Sequence, residues 1–198
     1  MPKSNSKTKK DFNMMIVGTG GQGLITLLQI IAEAAKMEGK DVRTSELHGL
    51  AQRGGSVEVH IRFGEKVFAP LVSQGRADFI LGLEMQEALK AHVFASDSTV
   101  FLINKNFIPI PLSKPISEED IIKNIKKISK EAFLVPAAEI CQKELGSSVV
   151  SGIYLVSLAV CKQLIPLKPE SLEKAIRKMI PESYLELNLK TFQLAQKK

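Results

Sequence analysis

The chain of 198 residues contains no tryptophan, two tyrosines and two cysteines, and these shortages limit what it can do. Two cysteines, Cys141 and Cys161, cannot supply the four thiolates of an iron–sulfur cluster or a four-cysteine zinc site. No apolar run approaches the roughly 18 residues of a membrane-spanning helix. The N-terminus MPKSNSKTKK lacks the apolar stretch of a secretory signal, so we expect a cytoplasmic protein with free, buried thiols.

The net charge of +6 would suit a nucleic-acid partner, but the positive charge is concentrated at one end of the chain. Four of the 27 lysine and arginine residues lie in residues 1–10, and the others nearly balance the 21 acidic residues. No stretch interleaves basic with aromatic residues, as nucleic-acid-binding surfaces do. We therefore expect residues 1–12 to be a basic, disordered tail, with neither nucleic acid nor a membrane as a partner.

Hydrophobic patterns in the first half predict alternating strands and helices. The apolar run Met14–Val17 predicts a buried strand, the spacing of apolar residues over Leu24–Met37 predicts a helix, and Val42–Glu46 predicts a second strand. This order predicts a parallel strand pair with a right-handed crossover. Strict alternation over Ser56–Phe63 predicts a half-buried strand that turns back into Val67–Phe68 as a hairpin.

Further strands are predicted at Ala77–Leu83 and Thr99–Ile103, and most residues after 136 have helical spacing broken by glycine and proline. These patterns predict a single domain over residues 13–198. The expected fold class is a Rossmann-like three-layer α/β domain with a mainly parallel sheet, one hairpin and a helical C-terminal third.

Residues 18–26, GTGGQGLIT, place Gly18, Gly20 and Gly23 at the spacing G-x-G-x-x-G between a predicted strand and a predicted helix. Such a loop lets the backbone approach an anion, which the positive end of the helix attracts. A Walker loop is excluded because Leu24 occupies the position of its lysine. A dinucleotide site also needs an acid near the end of the second strand, and Glu46 fits. A turn that needs glycine only for packing and a docked partner subunit remain open alternatives.

A second glycine-rich segment follows in Glu46–Arg62, which reads ELHGLAQRGGSVEVHIR. A dinucleotide enzyme does not require the sequence QRGG of residues 52–55 at this point. This sequence can present a guanidinium and bare amides to a carboxylate or a phosphate. A glycine hinge with an exposed arginine is the structural alternative.

Few other side chains qualify as catalytic. The three histidines His48, His60 and His92 lack the spacing of a metal site, and His60, on the polar side of its strand, is expected to be hydrogen-bonded instead. Glu84 and Glu87 have helical spacing and could serve acid–base chemistry, but such pairs are common on surfaces. We therefore expect no catalytic residue and no metal site in this chain alone.

Taken together, GTGGQGLIT, ELHGLAQRGGSVEVHIRFGEK, the AP at 69–70 and ADFILGLEMQEAL resemble the gamma domain of 2-oxoacid:ferredoxin oxidoreductases. This is the common domain of pyruvate/ketoisovalerate oxidoreductases, and the indolepyruvate members are the most similar. The resemblance covers residues 13–196. Asn188 matches the family. Where its members often have asparagines before the long C-terminal helix, this chain has Gly146, Ser147, Ser148 and Ser151.

The resemblance implies oxidative decarboxylation of a 2-oxoacid with coenzyme A, giving acyl-CoA, carbon dioxide and reduced ferredoxin. Thiamine diphosphate, Mg²⁺ and iron–sulfur clusters perform this chemistry. The chain lacks both the G-D-G…N thiamine signature and cluster cysteines, so it is expected to be inactive alone and to bind none of these groups itself. A larger cofactor-bearing subunit would be its partner, and the isolated chain could self-associate. Arylpyruvates such as indolepyruvate are the leading substrates, while pyruvate, 2-oxoglutarate and branched-chain 2-oxoacids remain open.

The resemblance also implies where a ligand binds. The two glycine loops would lie together at the carboxyl ends of adjacent strands, with Arg53 supplying charge and Gly20, Gly21 and Gly23 supplying amides to a coenzyme A phosphate or a partner carboxylate. The expected binding residues are Gly18, Gly20, Gly21, Gln22, Gly23, Thr26, Glu46, His48, Gln52, Arg53, Gly54, Gly55 and Ser56. A free-standing NAD/FAD-type oxidoreductase and a non-enzymatic regulatory module of the same fold are the alternatives.

Overall fold

The computed structural model describes residues 11–49, 54–108 and 116–198, which form a six-stranded sheet and seven α-helices. The strands are β1 (Asp11–Thr19), β2 (Asp41–His48), β3 (Ser56–Gly64), β4 (Phe79–Gly82), β5 (Val100–Asn104) and β6 (Glu131–Val135). The helices are α1 (Leu24–Met37), α2 (Met85–Lys90), α3 (Glu118–Lys126), α4 (Ala137–Leu145), α5 (Ser151–Cys161), α6 (Pro169–Met179) and α7 (Glu182–Gln196). Most of the predicted tail lies outside these ranges, but Asp11 and Phe12 belong to β1.

The strands lie in the order β2-β3-β1-β4-β5-β6. Strands β1, β4, β5 and β6 pair in parallel, which confirms the mainly parallel sheet, and β3 is antiparallel to both β1 and β2. The prediction that β1 and β2 pair directly is wrong, because β3 is inserted between them. A short loop can join antiparallel neighbours, whereas a parallel pair needs a long crossover, so β3 pairs at once with β2.

The predicted hairpin at Val67–Phe68 is also wrong. Val67 is buried, but its N–H donates to Asp41 Oδ2 at 3.0 Å instead of pairing in a strand. Phe68 is exposed. Among the described residues, the hairpin of the sheet is β2–β3, and residues 49–55 of the second glycine-rich segment connect its two strands.

Alternate residues of the strands point into two cores on opposite faces of the sheet. Met14 and Ile16 of β1 pack with α1 and α4 to α7, while Met15 and Val17 pack with α2 and α3. The three-layer prediction is therefore confirmed. No helix in the described part of the chain is long and apolar enough to cross a membrane.

The helix α1 has the bounds that its apolar spacing predicts, Leu24–Met37. It follows Gly23, whose φ of 77° lies in the left-handed region, and a second left-handed glycine, Gly39 with a φ of 74°, comes just after it. Glycine reaches this region without strain, so these two residues fix where the helix begins and ends.

Candidate functional site

The two glycine-rich loops meet at one edge of the sheet. Gly20 N–H donates to Gly55 O at 2.9 Å, and Gly54 N–H donates to Gly20 O at 3.5 Å. The β1–β3 register ends on the pair Thr19 and Ser56 and so brings the loops together. The predicted contact between the two loops is confirmed.

We call residues 18–23 together with residues 54–56 the glycine rim. The first loop follows the carboxyl end of β1, as expected. The second loop connects the carboxyl end of β2 to the amino end of β3. The strand next to β1 is β3, not β2, so the expectation that the two loops follow the carboxyl ends of adjacent strands is wrong. The loops still meet because β3 is antiparallel to β1. Gln52 and Arg53 of the expected site lie outside the described residues.

The side chain of Gln22 folds back over its own loop. Its Oε1 accepts from Thr19 N–H at 2.8 Å, and its Nε2 donates to Leu83 O at 3.4 Å. A Cβ on Gly18 would lie 2.5 Å from Gln22 Oε1, so a larger residue would displace this side chain. Gly18 and Gln22 therefore serve the packing of the turn.

The three glycines expected to offer amides differ in what their N–H groups do. The N–H of Gly20 already donates to Gly55, contrary to the expectation that it faces a ligand. Gly21 and Gly23 have φ of 98° and 77°, and no acceptor for their N–H groups is present among the described residues. Gly23 is the N-cap of α1, whose first turn has no acidic residue. These two amides and the helix dipole leave an electropositive point at the rim.

Glu46 and His48 lie on β2, at the margin of the sheet. The register places Glu46 opposite Val59 and Val59 opposite Ile16, below the end of β1. Since neighbouring strands are about 4.8 Å apart, roughly 10 Å separates the backbone of Glu46 from β1. Its Oε2 lies 3.0 Å from His48 Nε2. In a dinucleotide site the acid ends the strand next to the glycine loop, whereas here β3 lies between the strand of Glu46 and β1.

A groove leads from the glycine rim to the C-terminal helices. Its larger cavity, of about 490 Å³, has a mostly apolar wall that includes Leu27, Ile153, Ile180 and Leu187. The polar or small residues at this cavity are Gln22, Gly23, Thr26, Ser147, Tyr184 and Asn188. Val149 and Tyr184, at the same cavity, are 87% and 63% exposed. An apolar groove of this size suits a small molecule or the side chains of another subunit.

A second cavity of about 290 Å³ adjoins the first at Gln22 and Gly23. Ser148 and Ser151, which replace the expected asparagines, line it together with Asn104 and Asn106. No sequence motif predicted that Asn104 and Asn106 would lie at the site. The one indication is their position at and just after the carboxyl end of the parallel strand β5, because ligands bind at the carboxyl ends of the strands in such sheets.

Glu84 and Glu87 are buried, at 1% and 6% exposure, and are not the surface pair that their spacing suggests. Glu84 caps α2: its Oε2 accepts from Glu87 N–H at 2.8 Å, and its Oε1 accepts from Ile108 N–H at 3.1 Å. Burial raises the pKa of Glu84, and these donors oppose the increase. Glu87 accepts from Ser56 Oγ and, at 2.6 Å, from Lys90 Nζ. Both carboxylates are thus engaged within the chain at the base of the rim.

Glu58 follows Ser56 on the same face of β3, and burial and the neighbouring Glu87 raise its pKa. Folding therefore favours the protonated form of Glu58. The stability that this protonation contributes is fully present below pH 4.5, and it is lost as the pH rises through the pKa of Glu58 in the folded protein. We expect Glu58→Gln to stabilise the protein at pH 7 by about 0.5 kcal/mol, or roughly 1–2 °C in Tm. The gain should shrink below pH 4.5 in thermal unfolding followed by circular dichroism.

The control is the same change at the exposed Glu144, which should leave Tm unchanged across this pH range. A gain for Glu58→Gln that stays constant down to pH 3.5 would show that packing, and not ionisation, causes it.

His60 is 1% exposed, and its Nδ1 accepts from Val72 N–H at 3.2 Å. Its ring meets Phe94 edge-on, with centroids 5.3 Å apart, and burial lowers its pKa. The prediction that His60 is hydrogen-bonded is confirmed.

The side chains of the described residues do not fit the iron–sulfur clusters and the Mg²⁺ ion that the resemblance implies for the complex. Cys141 is fully buried, and burial raises the pKa of its thiol to about 11, which disfavours the thiolate that binds metals. Cys161 is the other free cysteine. In residues 11–49, 54–108 and 116–198, no three side chains of His, Cys, Asp or Glu are grouped to hold a metal ion.

Comparison with known proteins agrees with this fold. The family described as pyruvate ferredoxin/flavodoxin oxidoreductase matches residues 13–197. Indolepyruvate oxidoreductase subunit IorB of Archaeoglobus fulgidus is 37% identical over 187 residues, which cover 92% of each chain. The pyruvate/ketoisovalerate oxidoreductases common subunit gamma of Pyrococcus furiosus is 29% identical over 160 residues, covering 81% of this chain and 82% of that protein.

The crystal structure of the keto/oxoacid ferredoxin oxidoreductase gamma subunit from Geobacter sulfurreducens has the same fold. It superposes with a TM-score of 0.68 at 24% identity, covering 94% of this chain and 96% of that one. The family match spans residues 13–197, and the described ranges adopt this fold. The chain therefore belongs to the pyruvate ferredoxin/flavodoxin oxidoreductase family.

Proposed function

We propose that the chain is the subunit without cofactors of an indolepyruvate-type 2-oxoacid:ferredoxin oxidoreductase. The complex converts a 2-oxoacid and coenzyme A into acyl-CoA and carbon dioxide, and the electrons pass to ferredoxin. Thiamine diphosphate, Mg²⁺ and iron–sulfur clusters supply this chemistry on a larger partner subunit. The identities favour an arylpyruvate substrate, with 37% to an indolepyruvate subunit against 29% to a pyruvate/ketoisovalerate subunit.

The contact between the two glycine loops, made by Gly20 and Gly55, is the observation that carries the proposal. It concentrates positive potential at one edge of the sheet. There the N–H groups of Gly21 and Gly23 and the positive end of α1 hold an anion, and Arg53 from the second loop adds a guanidinium. The anion is a phosphate of coenzyme A or a carboxylate of the partner, and in both cases the rim binds negative charge.

Three other residues that were expected to bind a ligand differ in where they lie. Thr26 lines the groove beside the rim and stays a candidate contact, as does Gln52 in the second loop. Ser56 contributes indirectly, through its bond to Glu87.

The groove next to the rim faces the partner. Val149 is 87% exposed and Tyr184 is 63% exposed, and side chains of this kind at the mouth of an apolar groove are typical of a subunit interface. The partner then covers the groove, excludes water from the rim and brings its own cofactors to it. We place this complex in the cytoplasm, where Cys141 and Cys161 remain free thiols.

Reconstitution tests the proposal. The purified chain should not oxidise indolepyruvate, whereas the chain co-expressed with a cofactor-bearing subunit should reduce ferredoxin in the presence of indolepyruvate and coenzyme A. Val149→Asp should weaken the complex at least about tenfold in a binding titration, because it places a charge in an apolar interface. The assay separates the proposed subunit from a free-standing enzyme, which would be active alone.

The control for assembly is Val93→Asp, the same change at an exposed valine just after α2, on the face of the sheet opposite the groove. This variant should leave binding unchanged. Equal binding of both variants would contradict the assignment of the groove to the partner. Turnover of a 2-oxoacid by the lone chain would contradict the proposed function.

A further inference from the structure

We propose that Glu87 is a positioning residue, which through Ser56 holds the second loop of the glycine rim against the first. The proposal rests on the proposed function, because the position of the loop affects the reaction only if the rim binds an anion in the complex. No sequence pattern assigns this role, since the spacing of Glu87 suggested an ordinary surface residue.

Ser56 is the point at which the second loop joins the sheet. Its carbonyl accepts from Gly49 N–H at 2.9 Å and so closes the base of the loop. Its neighbour Gly55 accepts from Gly20 N–H, which is the contact between the two loops. A movement of Ser56 therefore moves both the base of the second loop and its contact with the first.

The Ser56 hydroxyl donates to Glu87, whose other oxygen accepts from Lys90 Nζ at 2.6 Å. Glu87 is 6% exposed, and burial of a carboxylate is costly unless its oxygens are hydrogen-bonded and its charge is paired. Lys90 pairs the charge, and Ser56 satisfies the second oxygen. An apolar residue would fill this space without accepting from Ser56, and a charged acceptor holds the hydroxyl more firmly than a neutral one.

Both loops are held by the beginning of the same helix. Gln22 of the first loop donates to Leu83 O, directly before the cap residue of α2. Ser56 of the second loop donates to Glu87 in the first turn of α2. Since α2 is buried against the sheet, it serves as a common reference that fixes the distance between the two loops. This shared attachment is what makes Glu87 more than a local packing contact.

Hydrogen exchange on the full chain tests the positioning directly. Ser56→Ala should accelerate amide exchange of Gly20 and of residues 54–57 by about tenfold or more, as expected for the loss of a hydrogen bond to a charged acceptor. Exchange in β5 and in α5 should stay within twofold. A merely structural role would instead accelerate exchange throughout the chain. Ser56→Thr keeps the hydroxyl and should restore the protection.

The matched control is Ser73→Ala, which removes a hydroxyl from an exposed serine in the loop before β4 and should not alter exchange at the rim. Glu87→Gln provides a second route to the same link if Ser56→Ala folds poorly. It keeps one oxygen but loses the pairing with Lys90, so a smaller acceleration confined to the same amides is expected.

Kinetics of the reconstituted complex separate this inference from the proposed function. Ser56→Ala should raise KM for coenzyme A about three- to tenfold while kcat stays within twofold, because the loop is displaced but its binding groups are intact. If Arg53→Ala raises KM but Ser56→Ala changes neither KM nor rim exchange, the positioning role is overturned and the function stands. If Arg53→Ala leaves both KM and assembly unchanged, the anion role of the rim fails and exchange alone decides the positioning.

Discussion

Replacing Arg53 by alanine in the assembled complex is expected to raise KM for coenzyme A about ten- to hundredfold. In the proposed site, Arg53 supplies charge directly before Gly54 in the sequence, and the N–H of Gly54 donates to Gly20 O of the first loop. Loss of charge-assisted hydrogen bonds to a phosphate costs about 1.5–3 kcal/mol, which corresponds to this change in affinity. Initial rates at varied coenzyme A concentration, with indolepyruvate and ferredoxin saturating, measure it.

Two further variants sharpen this test. Arg53→Lys keeps the charge but loses the bidentate geometry and should give an intermediate KM. Arg76→Ala removes an exposed arginine near the amino end of β1, far from the rim, and should have no effect. If Arg53→Ala leaves KM unchanged but weakens assembly in a binding titration, the anion is a carboxylate of the partner. Unchanged KM together with unchanged assembly would contradict the anion role.

Glu84→Ala is expected to produce the largest loss of stability, about 3 kcal/mol or more, or roughly 6–12 °C in Tm. The carboxylate is 1% exposed and accepts from the N–H groups of Glu87 and Ile108. Alanine removes the cap of α2 and leaves the N–H of Glu87 without a partner in a buried site, and it also removes the acceptor of the more exposed Ile108 N–H. Thermal unfolding at pH 7 measures the loss.

Glu84→Asp distinguishes the two bonds. Aspartate is a favoured cap residue and should keep the bond from Glu87 N–H, but its shorter side chain should lose Ile108, so about half of the stability returns. Glu119→Ala, at an exposed glutamate in the first turn of α3, is the control and should shift Tm by less than about 2 °C. An equal loss in Glu84→Asp and Glu84→Ala would contradict the role of the cap bond.

The helices and strands that could be predicted are those whose hydrophobic pattern lies within a single segment of the sequence. Apolar spacing and two glycines gave the bounds of α1, and the alternation in Ser56–Phe63 gave β3, because burial on one face leaves a periodic trace in the sequence. Strand neighbours leave no such trace. The order β1, α1, β2 fits a directly paired parallel unit as well as one with β3 inserted between the strands. The choice depends on β2 and β3 pairing across a short loop, which is a tertiary event.

The same division applies to the site. The two glycine loops could be placed together because their sequences resemble a known family, and that resemblance implied their contact. The burial of Glu84 and Glu87 could not be foreseen, because their spacing is that of countless exposed pairs and only the packing of α2 on the sheet removes them from water. Likewise, nothing in the sequence indicates that Gln22 turns back over Gly18, although this contact requires the glycine.

The second glycine loop joins the two strands of the β2–β3 hairpin at the margin of the sheet, and its described residues contact the rest of the domain through Gly20 and Glu87. Changes to this loop that preserve the contacts with Gly20 and Glu87 should leave the parallel strands and the crossover helices where they are. Family members can thus acquire new ligands or new companions by remodelling this loop alone. The connection between β2 and β3 is therefore the part of the domain that can be exchanged while the six strands and seven α-helices of the described ranges are retained.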